Sequence, residues 1–368
     1  MNPRPASGRT PLAIPPRQPV RPRRPAAGTS VTAPPPIPPK GKSMTTHARR
    51  RGLSLGALAL TGALALCACG SSDSDSGNDS GSGAARTHTM KTAMGDVKVP
   101  VNPQRVVVLD TGELDSALTL GVQPVGATHS ATEDGFPSYL PESRTKDIKE
   151  VGEIANPNLE TVASLKPDLI LTSKVRDGDR YEQLSAIAPT VMTESTGTAW
   201  KENFRTHAEA LGKQAEAKKV VAEYDAHVAD VTEAIGGKEK AAATDVNFVR
   251  FVEGADIRIY GKQNYIGSIL ADLGMGRPAI TDKAKDGFSY DVSPEKIDLA
   301  DTDVIFTSTY GDPEKAGATK TMNSGLWKGL TASKDDKVFK VDDRLWIAGI
   351  GYTAADQILD EFQTDLTK

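Results

Sequence analysis

The chain has 368 residues, room for two medium lobes and an ample core, with 25% charged residues and a formal net charge of −4. Residues 1–51 hold eleven of the 44 Lys and Arg and no acid, which leaves 33 basic residues against 48 acidic ones in the rest. An acidic body excludes a nucleic-acid binder, which needs a positive footprint, and any anionic ligand must be met by a local group of Arg or Lys. The chain's two cysteines, Cys67 and Cys69, exclude a disulfide framework, and a C-x-C pair with no His beside it falls short of a four-ligand zinc site.

In chain order, residues 1–43 are rich in Pro and Arg ("PPRQPVRPRRPAAG", "APPPIPPKGK") and bury too little to fold. Met44 opens an export signal of its own, so 1–43 reads as a disordered extension upstream of the true start, with a basic cytoplasmic tail as the alternative. Residues 44–68 form the signal: Arg49, Arg50 and Arg51, then an uncharged stretch over 52–66. Fifteen helical residues reach only ~22 Å, short of a ~30 Å hydrocarbon core, so the segment is a cleaved signal rather than a span. "LCAC" resembles a bacterial lipobox with Leu66 at −3, Ala68 at −1 and Cys69 as the first mature, lipid-bearing residue. Residues 69–97, with Cys69 followed by "GSSDSDSGNDSGSG", are read as a flexible tether and entry.

From Lys98 an α/β pattern begins. "RVVVLD" (105–110) is a short β-branched run typical of a buried parallel strand, and "GELDSALTLG" (112–121) has helical spacing ending at Gly121. "PVGAT", "DLILTS" and "TVMTES" read as further strands; "NLETVASLKPDLILTS" (158–173) is a helix, a Pro break and then a strand, and "YEQLSAIAP" (181–189) is a short helix. Strands alternating with helices predict a parallel sheet covered on both faces, forming an N-terminal lobe over 98–212. Residues 213–236 follow as one long helix ending at Gly236-Gly237. The α/β pattern then resumes over 237–368 as a C-terminal lobe, with strands at "VNFVRF", "DIRIYG", "TDVIFTS" and "KVFKV". "ETVASLKPDLILTS" (160–173) and "EKIDLADTDVIFTS" (295–308) align without a gap, so one supersecondary unit recurs on each side of the long helix.

With these pieces in place, the chain resembles the substrate-binding lipoproteins of ferric-siderophore and vitamin B12 ABC importers. The resemblance is carried by "VPVNPQRVVVLDTGELDSALTLGVQPVGAT", "NLETVASLKPDLILTSKVRDGDRYEQLSAIAPTV", "ADIRIYGKQNYIGSILADLGMGRP" and "DRLWIAGIGYTAADQILDEF", and it covers about 95–368. It implies two Rossmann-like lobes joined by a single long helix with a ligand cleft between them, the class III periplasmic-binding-protein fold. It also implies an exported, lipid-anchored monomer that hands an Fe(III)–siderophore to the permease of an ABC importer and catalyses nothing. "SKVRDGDRYEQLSAIAPTV" and "RIYG" point to the hydroxamate and carboxylate siderophore branch, hydroxamates such as ferrioxamine first and citrate next. A receptor for haem or cobalamin in the same fold is the alternative, and a surface lipoprotein hydrolase a more distant one.

A ferric siderophore brings six oxygens to its own metal, so the protein needs no metal ligands and no intrinsic cofactor. It needs Arg forks for the chelate's outer oxygens and flat rings for its linkers. Arg176 follows the strand "DLILTS" at its carboxyl end, where open α/β sheets hold ligands, and Lys174 lies two residues earlier. Arg250 interrupts an apolar strand and so must face a cavity or a partner. Arg258 and Tyr260 alternate with Ile257 and Ile259 and share one strand face. Trp346, at a strand-to-helix junction where the resemblance implies a stacking aromatic, is expected in the cleft, with Arg344 on its face if the segment is extended. Trp200 is either cleft wall or core, and Trp327 is core. The matched Glu160 and Glu295 are implied by the resemblance to dock on the permease, one on each lobe. The five histidines are scattered, which disfavours a metal-binding relative, and no nucleophile elbow or P-loop is present.

Overall fold

The computed structural model describes residues 86–130 and 135–368. The extension over 1–43, the signal over 44–68, Cys69 and the first part of the tether lie outside the described residues.

The described chain opens with an antiparallel hairpin, β1 (Thr87–Thr92) and β2 (Gly95–Pro100), where the tether was expected to run on to residue 97. Met90, Val97 and Val99 alternate inward and are buried, which is why the segment pairs. Its turn, Ala93-Met94 followed by Gly95 at φ +100°, lacks the Asn-Gly signature that would mark it in sequence. The Ala93 amide donates to the carbonyl of Met192, so the hairpin belongs to the first lobe.

The first sheet is built from β3 (Val106–Val108), β4 (Gly126–His129), β5 (Lys149–Glu153), β6 (Asn156–Pro157), β7 (Leu169–Ser173) and β8 (Thr190–Thr193). Their spatial order is β6-β5-β4-β3-β7-β8, parallel except for the two-residue β6. β3, β7 and β8 are buried throughout, as their continuous apolar runs require. Among its helices are α1 (Thr111–Thr119), capped by the Asp110 carboxylate on the Thr111 amide, and α2 (Leu159–Ser164), capped by Asn158 on Thr161. α3 (Lys174–Asp177) turns directly off β7, and α4 (Trp200–Ala210) follows β8.

α5 (Gln214–Ala234) is the long helix anticipated from its apolar stripe. It runs for 21 residues, about 32 Å at 1.5 Å per residue, and stops at Gly236 (φ +112°) and Gly237 (φ +84°). The second sheet then assembles β9 (Val246–Val252), β10 (Ile257–Tyr260), β11 (Ser289–Val292), β12 (Val304–Tyr310) and β13 (Val338–Lys340) in the order β11-β10-β9-β12-β13. β9, β12 and β13 are parallel, but β10 is antiparallel to both neighbours, so the fully parallel expectation fails here. The reason is connection length. Four residues separate β9 from β10, too few for the crossover that parallel neighbours need. α6 (Tyr265–Asp272) follows β10. The recurring sequence unit ends in the strand next to one edge of each sheet, β7 and β12. Its helix is regular in α2 but a kinked 3₁₀ segment, Pro294–Ala300, in the second copy.

The last helix, α7 (Tyr352–Leu366), corrects the boundary drawn at residue 237, because it follows the second lobe in sequence but also closes the first. Its Thr353 and Ala354 amides donate to the buried Asp115 carboxylate of α1, and Gln357 donates to the Tyr139 carbonyl. One continuous core therefore joins the inner faces of both sheets through α5 and α7, while each sheet has a separate smaller core on its outer face. Two lobes, one long helix and a cleft between them is the architecture expected.

Candidate functional site

A cleft of about 270 Å³ opens between the carboxyl ends of the two sheets, close to the lower end of the size range for small-molecule sites. The first lobe contributes Arg176 and the loop Thr196–Thr198; the second contributes Arg250, Tyr260, the segment Gln263–Ile266, Phe288 and the turn carrying Trp346, Ile347 and Ile350.

Arg176 is aimed by Asp110. Its Nε donates to Asp110 Oδ2 at 2.8 Å, and its two terminal nitrogens make no hydrogen bond to the described residues, so one edge of the guanidinium is left for a ligand. Asp110 is buried, which pushes its carboxyl up to about 6, Glu113 adding to the rise and Arg176 opposing it. Burial pulls against the Arg176 charge, and the Asp110 pair more than restores it.

Arg250 answers the strand puzzle in both ways at once. It lines the cleft, and its Nε and one terminal nitrogen grip both oxygens of Asp343 at 2.7 and 2.6 Å. Asp343 in turn accepts from the Ser308 hydroxyl at 2.6 Å, while the Arg250 guanidinium stacks 4.9 Å from the Tyr310 ring. The remaining terminal nitrogen reaches the Tyr260 hydroxyl at 3.3 Å. Burial raises the Tyr260 pKa against the pull of Arg250, so the phenol stays protonated at neutral pH. The result is a net-neutral buttress with a cationic edge, next to Arg176 held by a single bond to Asp110.

The other expected residues divide. Trp346 lines the cleft, but only 1% of it is exposed: it stacks on Phe306 and Phe248, and its ring N–H donates to Glu361. Arg344 does not share its face, because Arg344–Ala348 forms a single π turn rather than an extended segment; Arg344 points to solvent and pairs loosely with Asp342. Lys174 pairs with Glu194 in solvent outside the cleft lining. Arg258 shares a sheet face with Arg250, its cross-strand partner, but lies beside the cleft and approaches Asp291 at 3.7 Å. Trp200 is core, packed edge-on to Tyr224 and Tyr265, with its N–H on Ser268 of the opposite lobe. Trp327 is buried against Phe251. Glu160 and Glu295 are exposed in the first turns of α2 and of the 3₁₀ segment, which lead to β7 and β12.

Residues missed from sequence are the supports. Asp343 and Asp110 bear no local mark; Arg250's need for an anion was legible, but which of many acids supplies it is a tertiary fact. Phe288, in "DGFSY" after a turn, carried a weak signal. No group of three or more metal-ligating side chains occurs among the described residues. Ser116, His207 and Glu113 do meet, with Ser116 Oγ 3.0 Å from His207 Nδ1 and Glu113 3.6 Å from Nε2, but the adjoining space is about 10 Å³, room for one water and no ester.

The periplasmic binding protein profile matches residues 106–345. The probable siderophore-binding lipoprotein YfiY of Bacillus subtilis (strain 168) is 39% identical over 294 residues, covering 77% of this chain and 89% of that one. The iron(3+)-hydroxamate-binding protein FhuD of the same organism is 32% identical over 286 residues, covering 76% and 85%. Among solved structures, Staphylococcus aureus SirA complexed with staphyloferrin B superposes with a TM-score of 0.68 at 35% identity, covering 76% of this chain and 98% of that one. A cleft between two sheets joined by one long helix, and a match spanning both lobes, establish that the chain belongs to the periplasmic binding protein family.

Proposed function

We propose that this protein is an extracytoplasmic receptor, lipid-anchored through Cys69, that captures an Fe(III)–siderophore and delivers it to an ABC importer. The cleft carries the reading: Arg176 with a free edge and the pre-aligned Arg250–Asp343 pair present hydrogen-bond donors for chelate oxygens, while Ile347, Ile350 and Phe288 offer apolar surface for the linkers. The iron is cargo held by its own chelator, so the protein needs no metal ligands. Hydroxamates come first, in keeping with the apolar share of the lining and the likeness to an iron(3+)-hydroxamate-binding protein, and carboxylate chelates such as ferric citrate next. Tyr260 is a poor haem ligand, since its hydroxyl faces Arg250 and its pKa is raised.

The test is a tryptophan-fluorescence titration of the purified protein with ferric trihydroxamates, ferric citrate, haem and cobalamin. Quenching by a ferric siderophore at micromolar or lower concentration, with none by the iron-free chelator at the same level, is expected. Saturable binding of haem or cobalamin alone would replace this reading with another cargo.

A further inference from the structure

A chain of ring contacts crosses the second lobe from core to cleft. Phe362 stacks on Phe306 (5.0 Å between centroids), Phe306 on Trp346 (4.7 Å), Trp346 on Phe248 (5.9 Å), Phe248 meets Tyr260 edge-on (5.4 Å), and Tyr260 meets Phe288 (5.3 Å). The first five rings are buried; Phe288, the last, is 40% exposed and lines the cleft.

That exposure does not come from a loose loop. The Phe288 carbonyl accepts from the Gly261 amide at 2.7 Å and from Asn264 Nδ2 at 3.0 Å, and its own amide is held by Asp286. A side chain at Gly261 would collide with the Gly287 carbonyl, so the loop packs closely against the segment that leads from β10 into α6. A rigidly held aromatic ring left partly in water forgoes burial that the fold could have given it. Beside it lie cationic groups for oxygens, and Trp346, the ring expected to stack on a ligand, is already covered on its neighbours.

We infer that Phe288 is the aromatic wall of the cleft and sets its selectivity, favouring chelates whose donor groups are joined by apolar linkers over compact polyanionic ones. The inference rests on the siderophore reading above and adds to it a residue and a chemical preference. A ring fixed in place packs against methylene linkers at little entropic cost, whereas a small carboxylate chelate offers it almost no apolar surface.

The experiment compares wild type with Phe288→Ala, Phe288→Leu and Phe288→Trp, titrated with a methylene-linked ferric trihydroxamate and with ferric citrate, with thermal melts of each variant. Wild type should prefer the trihydroxamate, and Phe288→Ala should lower that preference about tenfold, the effect of losing part of a buried ring face. Phe288→Leu, which keeps apolar bulk without a flat ring, should fall between, and Phe288→Trp should retain the preference. Unaltered selectivity in Phe288→Ala and Phe288→Leu, or a wild-type preference for citrate, overturns the inference while leaving the receptor reading intact. A wild type that binds neither chelate overturns both.

Discussion

Arg250 and Asp343 show how a charge survives inside an apolar strand. Their side chains are 12% and 10% exposed, and the pair is closed by two charge-assisted bonds and the Ser308 hydroxyl. Removing one member strands the other, so Asp343→Ala should cost about 3 kcal/mol in urea unfolding, while a double change to apolar residues, Arg250→Met with Asp343→Leu, should recover most of it. Equal losses in the single and double variants would show that the pair is not what holds this region. The same residues measure how far sequence reading reaches. A lone Arg in an apolar strand announces a buried partner, but the acid it finds lies 93 positions away, and nothing local separates Asp343 from Asp342. Trp346 illustrates the converse: its position at the cleft was legible, but the two aromatic side chains that absorb its faces, Phe248 and Phe306, were not.

At the scale of elements, the junction of α1 and α7 concentrates unusual chemistry. Asp115 is fully buried, yet receives the first amides of α7, and Gly351 makes the approach feasible, since a side chain there would sit 2.1 Å from the carboxylate. Burial raises its pKa to about 7, with the Thr353 and Ala354 amides opposing the rise. The unfolded value is near 4, so the native state holds the extra proton between these limits. The associated stability is fully present below about pH 4 and lost as pH climbs through 7. Asp115→Asn, which mimics the protonated acid, should therefore gain on wild type as pH rises from 4 to 8, by an amount of the order of a few kcal/mol. A difference between the two that does not change with pH would refute the assignment. Elements themselves were legible in proportion to their periodicity: α5 and the buried strands β3, β7 and β8 stand out, whereas the β1–β2 hairpin lacks a marked turn and the direction of β10 follows from loop length rather than strand composition.

For the whole molecule, the two exposed acids at matched positions become a proposal about delivery. Glu160 and Glu295 stand in corresponding places of the repeated unit, one on each lobe, away from the cleft lining. Burial does not explain them, since both are exposed. In cells that depend on this receptor for iron, Glu160→Ala with Glu295→Ala should leave ferric-siderophore affinity within about twofold yet abolish uptake, a loss of docking rather than capture. Cys69→Ala should instead shed the protein from the membrane fraction, with binding retained in the soluble pool. Uptake at wild-type rates in the double variant, or membrane retention without Cys69, would remove the corresponding part of the proposal.

The closure of the first lobe by the last helix has a consequence in time. Asp115 meets Ala354 across 239 positions, and Thr119 shares a hydroxyl bond with Thr353 across 234. The face of α1 that these contacts complete stays uncovered until the final turns of the chain are available. The N-terminal lobe is therefore not an autonomous folding unit that matures while the rest is being made. Closing a loop over such a span is entropically costly, so the fold around α1 is completed only once α7 is available to pack on it, which agrees with the export proposed above.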